Sequence, residues 1–153
     1  MRTFLISLVL LIAHQSVAQA AEPIGRDLHG RAVELTDGVN PRALVFWTLD
    51  CSDCLAPVKA LQEGGLDVLL VNVDGAASRS ALSTFLHRQG IVAPVLPDPT
   101  TTLQQRFGLT GQGVVLLDAS GAITQRQSGP RFDAVALLAS VGLDTTTLAS
   151  VDH

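Results

Sequence analysis

Blocks of apolar and polar residues alternate along the chain and predict strands and helices in turn. Residues 43–47 and 66–74 form apolar runs with little polar alternation, as expected of strands covered on both faces. Each run is followed by a helical pattern that ends at glycine, Val58–Glu63 after the first and residues 78–89 after the second. The order strand, helix, strand, helix predicts a parallel crossover unit.

The remaining pattern adds shorter elements on either side of this unit. Residues 28–35 predict a short amphipathic strand or hairpin arm around Gly30. Further along, the pattern predicts a strand at 94–96, a helix from the Asp98-Pro99-Thr100 start to about Phe107, a hairpin of 114–118 with 122–127, and a helix at 132–141. Because hairpin strands are antiparallel and crossover strands are parallel, the sequence predicts an α/β fold with a mixed sheet.

The first twenty residues have the layout of a signal peptide. Arg2 precedes an apolar run over residues 4–13, and the small-residue triplet Ala18-Gln19-Ala20 matches a cleavage site. The run is shorter than the roughly 20 apolar residues of a membrane-spanning helix. We therefore predict a signal peptide at 1–20, one domain at 21–143 and a loose tail at 144–153. The mature protein is predicted to be periplasmic or secreted, without a stable membrane span; an uncleaved anchor is the alternative.

Composition limits the chain to one domain and excludes one class of partner. A length of 153 residues, 47% of them hydrophobic, suits a single core. The formal net charge is −4, with 14 acidic against 10 basic residues, and Lys59 is the only lysine. Without a cationic surface to neutralise phosphates, the chain is not expected to bind nucleic acid.

The candidate chemistry lies in the two cysteines of the chain, Cys51 and Cys54. They stand four residues beyond a predicted buried strand and just before a predicted helix. Unpaired N–H groups and the positive helix end favour a thiolate on the first sulfur, and the second sulfur lies one turn further on. Such a thiolate attacks a substrate disulfide, and the neighbouring thiol resolves the mixed disulfide. We therefore predict Cys51 and Cys54 as catalytic residues, with Cys51 attacking and Cys54 resolving.

Several stretches resemble thioredoxin-fold proteins, in particular their exported TlpA/ResA branch. The stretches are Leu44-Val45-Phe46-Trp47 followed by Cys51-x-x-Cys54, Pro94-Val95-Leu96-Pro97-Asp98, Phe107-Gly108-Leu109-Thr110-Gly111 and Val115-Leu116-Leu117-Asp118-Ala119-Ser120-Gly121. The resemblance covers residues 28–138. It implies a thioredoxin-like fold with helices on both faces of the sheet, and disulfide reduction on protein thiols and disulfides of the cell envelope. It implies no cofactor and no metal.

The chain departs from that branch near the cysteines. The departures are Asp50 in place of an aromatic residue, Pro57 and Lys59 in place of an acid and a proline, Gly111-Gln112-Gly113 in place of a Gly-x-Pro loop, and Val45 at the position of the buried acid of ordinary thioredoxins. Asp50 and Asp53 oppose formation of the Cys51 thiolate, which predicts a reducing rather than a strongly oxidising pair. The loop without proline is predicted to be more mobile and less selective, with room for proline at position 113.

Two alternatives remain open at this point. In the first, Cys51 and Cys54 form a permanent disulfide, as is common in exported domains, and this disulfide only stabilises the start of the helix. Alternatively, Cys51 and Cys54 bind a soft metal such as Cu(I), with a histidine as a further ligand. The candidate histidines are His29, His87 and His153.

Overall fold

Five strands form the central sheet of the domain, in the spatial order β5-β4-β3-β6-β7. The computed structural model describes residues 23–143, so the predicted signal peptide and tail lie outside the described residues. The elements are β1 Gly25–Arg26, β2 Ala32–Val33, β3 Arg42–Trp47, the 3-10 helix Ser52–Leu55, α1 Val58–Glu63, β4 Asp67–Asn72, α2 Arg79–Gln89, β5 Val95–Pro97, α3 Thr102–Arg106, β6 Gly113–Leu117, β7 Ile123–Ser128 and α4 Ala134–Ser140.

The sheet is mixed, as the sequence predicts. Strand β3 pairs in parallel with β4, which pairs in parallel with β5. On its other side β3 pairs antiparallel with β6, which forms the predicted hairpin with β7. Strand β3 is therefore central, with a neighbour on each side, and its carboxyl end delivers the chain to the cysteines.

Both faces of the sheet are covered, which explains the continuous apolar runs. Alternate residues of β3 enter different clusters: Val45 and Trp47 pack with buried residues of α1, α2 and α4, whereas Leu44 and Phe46 pack towards the α3 side and β2. Trp47 stacks on Phe85 of α2 at a ring separation of 5.5 Å. Neither Phe46 nor Trp47 is exposed, which confirms the prediction that the strand at 43–47 is covered on both faces.

The helix ends follow the local chemistry of their residues. Helix α2 begins after Ser78, whose side chain accepts from the Ala81 N–H, and it ends at Gly90, whose φ of 63° suits glycine. The predicted helix start at Asp98-Pro99-Thr100 is wrong by a few residues, because α3 begins after Thr101. The Asp98 carboxylate still accepts from the Gln104 N–H within α3 at 3.0 Å.

The amino-terminal hairpin also differs from its prediction. Within the predicted arm at 28–35 the strand is the short β2, which pairs antiparallel with β1 just before the arm. In the turn between them the Asp27 carboxylate accepts the N–H groups of His29 and Arg31. Within residues 23–143, no helix has the length and apolar character needed to cross a membrane.

Candidate functional site

The two cysteines lie directly beyond the carboxyl end of β3 and form a disulfide. Their Cα atoms are 5.5 Å apart, which is within the ordinary range for this bond. Cys54 is 1% exposed and belongs to the core cluster that contains Trp47, whereas Cys51 is half-buried at the edge of that cluster. The two sulfurs therefore differ in access: an incoming molecule meets Cys51 first.

The predicted strand-to-helix junction is confirmed, with a difference in its first turn. The chain leaves β3 through a turn closed by the Cys51 N–H, which donates to the Thr48 carbonyl at 3.1 Å. The 3-10 helix Ser52–Leu55 follows, and α1 begins only after Pro57, which occupies its N-cap position. Because proline has no N–H to donate, the helix restarts there. Cys51 is thus the residue before the 3-10 helix, and Cys54 lies within it.

A polar network fixes the segment that leads to Cys51. Asp74 accepts the Leu49 N–H at 2.7 Å and the side-chain amide of Asn72 at 3.0 Å. The Asn72 amide also donates to the Trp47 carbonyl at 3.3 Å. Asn72 is buried at the end of β4, where its side-chain amide is a second donor to the Trp47 carbonyl, beside the Val73 N–H at 3.0 Å. In the sequence Asp74 only ends the apolar run at 66–74, and its place directly after a buried strand is the signal for a polar role at this edge of the sheet.

A second chain of hydrogen bonds joins the loop before β6 to the residue before Cys51. The Gln112 side-chain amide donates to the Thr48 hydroxyl at 3.0 Å, and the Thr48 hydroxyl donates to the Asp50 carboxylate. A hydroxyl has one hydrogen and can accept while it donates, so the three groups form one directed chain. Gln112 belongs to the loop that the sequence singles out, but no local pattern indicates its contact with Thr48, because the two positions are 64 residues apart.

The loop at 111–113 is tied at three points, which argues against its predicted mobility. Gln104 donates from its side chain to the Gly111 carbonyl at 2.7 Å, and the Gly129 N–H donates to the Gln112 carbonyl at 2.8 Å. The third of these contacts is the hydrogen bond from Gln112 to Thr48.

No cis peptide bond occurs among residues 23–143.

Position 113 does not have the predicted room for proline. Gly113 is the first residue of β6 and pairs with Phe46 on one side and Ser128 on the other. A Cβ atom at Gly113 would lie 2.5 Å from the Gln127 carbonyl oxygen and 3.2 Å from the Ser128 Cα. These are backbone atoms, so a larger residue forces the two strands apart. The expectation of a proline site at position 113 is wrong.

The charges beside the pair are acidic, as the sequence predicts. Asp50 and Asp53 are exposed on either side of Cys51. Within the described residues neither carboxylate forms an ion pair. Lys59, on the following helix, reaches towards Gly90 at the end of α2 instead. The reduced pair would therefore have two neighbouring negative charges that oppose a thiolate.

The structure does not bring the predicted histidine ligands to the sulfurs. His29 and His87 both line a pocket between α2, the segment after it and the amino-terminal hairpin, and neither cysteine lines that pocket. His153 lies outside the described residues. In the part of the chain that the structure describes, no three histidine, cysteine, aspartate or glutamate residues cluster as metal ligands do. Cys51 and Cys54 are bonded to each other in this structure.

The mixed five-stranded sheet with helices on both faces is a thioredoxin-like fold, and the bonded Cys51-x-x-Cys54 pair lies at the end of its central strand. No protein-family model and no curated protein sequence matches the chain, whereas many solved structures do. StoA from Bacillus subtilis superposes with a TM-score of 0.62 at 18% identity, covering 76% of this chain and 92% of that one.

Two further neighbours carry descriptions that bear on their own function. A secreted disulfide oxidoreductase of Mycobacterium tuberculosis superposes with a TM-score of 0.61 at 19% identity over 77% of this chain and 92% of its own. An exposed lipoprotein thioredoxin of Streptococcus pneumoniae gives 0.59 at 24% identity over 76% and 95%. These likenesses show the thioredoxin-like fold of the chain, as the sequence resemblance predicted.

Proposed function

We propose that the protein performs thiol–disulfide exchange on protein partners through Cys51 and Cys54, in the direction of disulfide reduction. One observation carries the proposal: the two sulfurs are at bonding distance, with Cys51 half-buried and Cys54 buried. An attacking thiol needs access to a partner, while a resolving thiol needs only to reach its neighbour. The names of the structural neighbours support the same activity, although fold alone does not assign one.

The proposed reaction consumes the reduced pair. The Cys51 thiolate attacks one sulfur of a partner disulfide, forms a mixed disulfide with it and releases the other partner sulfur as a thiolate. Cys54, once deprotonated, attacks the Cys51 sulfur, which releases the first partner sulfur and closes the Cys51–Cys54 disulfide. Two electrons pass from the pair to the partner. A dithiol reductant must then restore the pair by the same exchange in reverse.

The acidic surroundings support the reducing direction. A pair whose reduced form contains a stabilised thiolate is an oxidant, because that form is favoured. Here Asp50 and Asp53 disfavour the thiolate, and the six-residue α1 is separated from Cys51 by a 3-10 turn and Pro57. The reduced form is therefore less stable, so the pair gives its electrons away more readily.

Export to the periplasm or the exterior belongs to the same proposal. It rests on the signal-peptide pattern of residues 1–20. It agrees with neighbours described as secreted or exposed, which is a statement about those proteins. Fractionation of cells that express the tagged full chain tests it: the processed protein should be released with the envelope fraction, and a cytosolic, unprocessed protein would contradict export.

Trapping of mixed disulfides tests the exchange itself. In a Cys54→Ser variant the resolving thiol is gone, so partners should accumulate on Cys51 as adducts that a reductant releases. The matched control is Cys51→Ser, in which the remaining thiol is buried and should trap little. Adducts on Cys54 in the control, with none on Cys51 in the first variant, would reverse the assigned roles.

A further inference from the structure

A shallow groove beside the redox pair has the features of a specificity site. Its volume is about 370 Å³, and it is lined by Leu49, Ser80, Ala81, Thr84, Phe85 and Arg88. Leu49 stands two residues before Cys51, which places that wall of the groove within about 7 Å of Cys51 along the chain. The other five residues lie on one face of α2, since they recur at helical spacing.

The walls of the groove are held in place before anything binds. The Phe85 ring stacks on the buried Trp47 with an interplanar angle of 22°. The backbone of Leu49 is fixed by the hydrogen bond from its N–H to Asp74. Both side chains are half-buried and pack against the core that contains Cys54. A site with fixed apolar walls binds a side chain without an ordering cost of its own.

The groove has a positive charge at Arg88 and negative charges near the cysteine pair. Arg88 is exposed at the far end and forms no ion pair within the described residues. Its positive charge contrasts with Asp50 and Asp53 at the cysteine pair. Ser80 to Arg88 spans about 12 Å along the helix, which an extended peptide covers in about four residues.

We propose that this groove selects the partner segment whose cysteine reacts with Cys51. The occupant is an extended peptide segment that places an apolar side chain between Leu49 and Phe85. Further from its cysteine than this apolar side chain, the segment has a carboxylate that meets Arg88. This inference rests on the proposed exchange function and names the partner chemistry that the site favours. The contact is small, so it supports brief encounters and not a lasting complex.

Model peptide disulfides test the groove directly. Two peptides carry leucine two residues after cysteine and either glutamate or lysine two residues further on, each as a mixed disulfide with 2-mercaptoethanol. The second-order rate constant for reaction of the reduced protein with the glutamate peptide should exceed that with the lysine peptide by about two- to fivefold, the size of one exposed ion pair. In Arg88→Glu the lysine peptide should react faster than the glutamate peptide. In 1 M salt the wild-type ratio should fall towards one, because salt screens the charges.

The controls separate this inference from the proposed function. Arg106→Glu on α3 changes the net charge equally but lies outside the groove, so it should keep the wild-type ratio. A peptide with serine in place of leucine should react more slowly with the wild type. If both wild type and Arg88→Glu exchange disulfides but react equally fast with the glutamate and lysine peptides, the proposed role of the groove is wrong and the exchange function stands. No exchange with either peptide or with 2-hydroxyethyl disulfide overturns the exchange function and the groove together.

Discussion

At the scale of single residues, Cys51 is half-buried and Cys54 is buried, and the roles proposed for the two sulfurs rest on this difference. The sequence showed their spacing and their place between strand and helix, and both are as predicted. What it could not show is the set of polar side chains around them. Thr48, Asn72 and Gln112 act through contacts between distant segments, and no local pattern encodes such contacts.

Asp50 is predicted to slow the reaction of Cys51 with alkylating agents. Asp50→Asn removes the negative charge but retains a side-chain oxygen that can accept from Thr48. The reduced variant should therefore be alkylated about two- to fivefold faster at neutral pH, since an exposed charge has an effect of this size. Rates measured across a pH series, with and without 1 M salt, check this.

The matched variant Asp53→Asn removes the other exposed carboxylate near the pair. A similar increase in rate would show that both charges act on Cys51. If neither variant changes the rate at any pH, the charges are screened by solvent, and the electrostatic argument for a reducing pair is contradicted.

At the scale of elements, apolar periodicity predicted the succession of strands and helices along the chain better than it predicted where each element begins and ends. Strands β3 and β4 and helices α1 and α2 lie where the pattern placed them, because their buried faces leave a strong signal. The start of α3 was misplaced, since Thr101 adopts a φ of 56° that no propensity suggests. The close approach at Gly113 was also hidden, because it depends on β7.

Gly113→Ala is predicted to destabilise the protein by about 1–3 kcal/mol, the usual cost of overpacking. The added Cβ would lie 2.5 Å from the Gln127 carbonyl oxygen. Denaturant unfolding of the oxidised protein measures the change. The control is Gly75→Ala, where the nearest atom is 3.6 Å from the added Cβ, an ordinary contact. Equal stability of the two variants would contradict the close packing of β6 against β7.

At the scale of the whole molecule, the ionised carboxylates of two turns, Asp37 and Asp118, stabilise the folded state. Backbone N–H groups of Asn40 and Val39, with the Asn40 side chain, lower the pKa of Asp37 to about 2. The hydroxyl of Ser120 and neighbouring N–H groups also lower the pKa of Asp118. These loops meet where the Thr36 hydroxyl donates to the Ala119 carbonyl at 2.8 Å.

Because these pKa values are lower in the folded state, the contribution is present above the unfolded value of about 3.9 and is lost as pH falls towards about 2. The free energy of unfolding should therefore fall between pH 4 and pH 2, and less steeply in Asp37→Ala. Glu34→Gln is the control, since its side chain has no hydrogen-bond partner in the described residues. An unchanged slope in Asp37→Ala would contradict this account.

The reduction potential of the Cys51–Cys54 pair tests the central claim most directly. It is measured by equilibrating the purified mature protein with a dithiol couple of known potential and quantifying the two forms. A pair that cycles as a reductant should lie between about −300 and −230 mV, the region of thioredoxin. A potential below about −300 mV, typical of structural disulfides, would identify a permanent staple and contradict the exchange function. A potential near −120 mV would contradict the reducing direction.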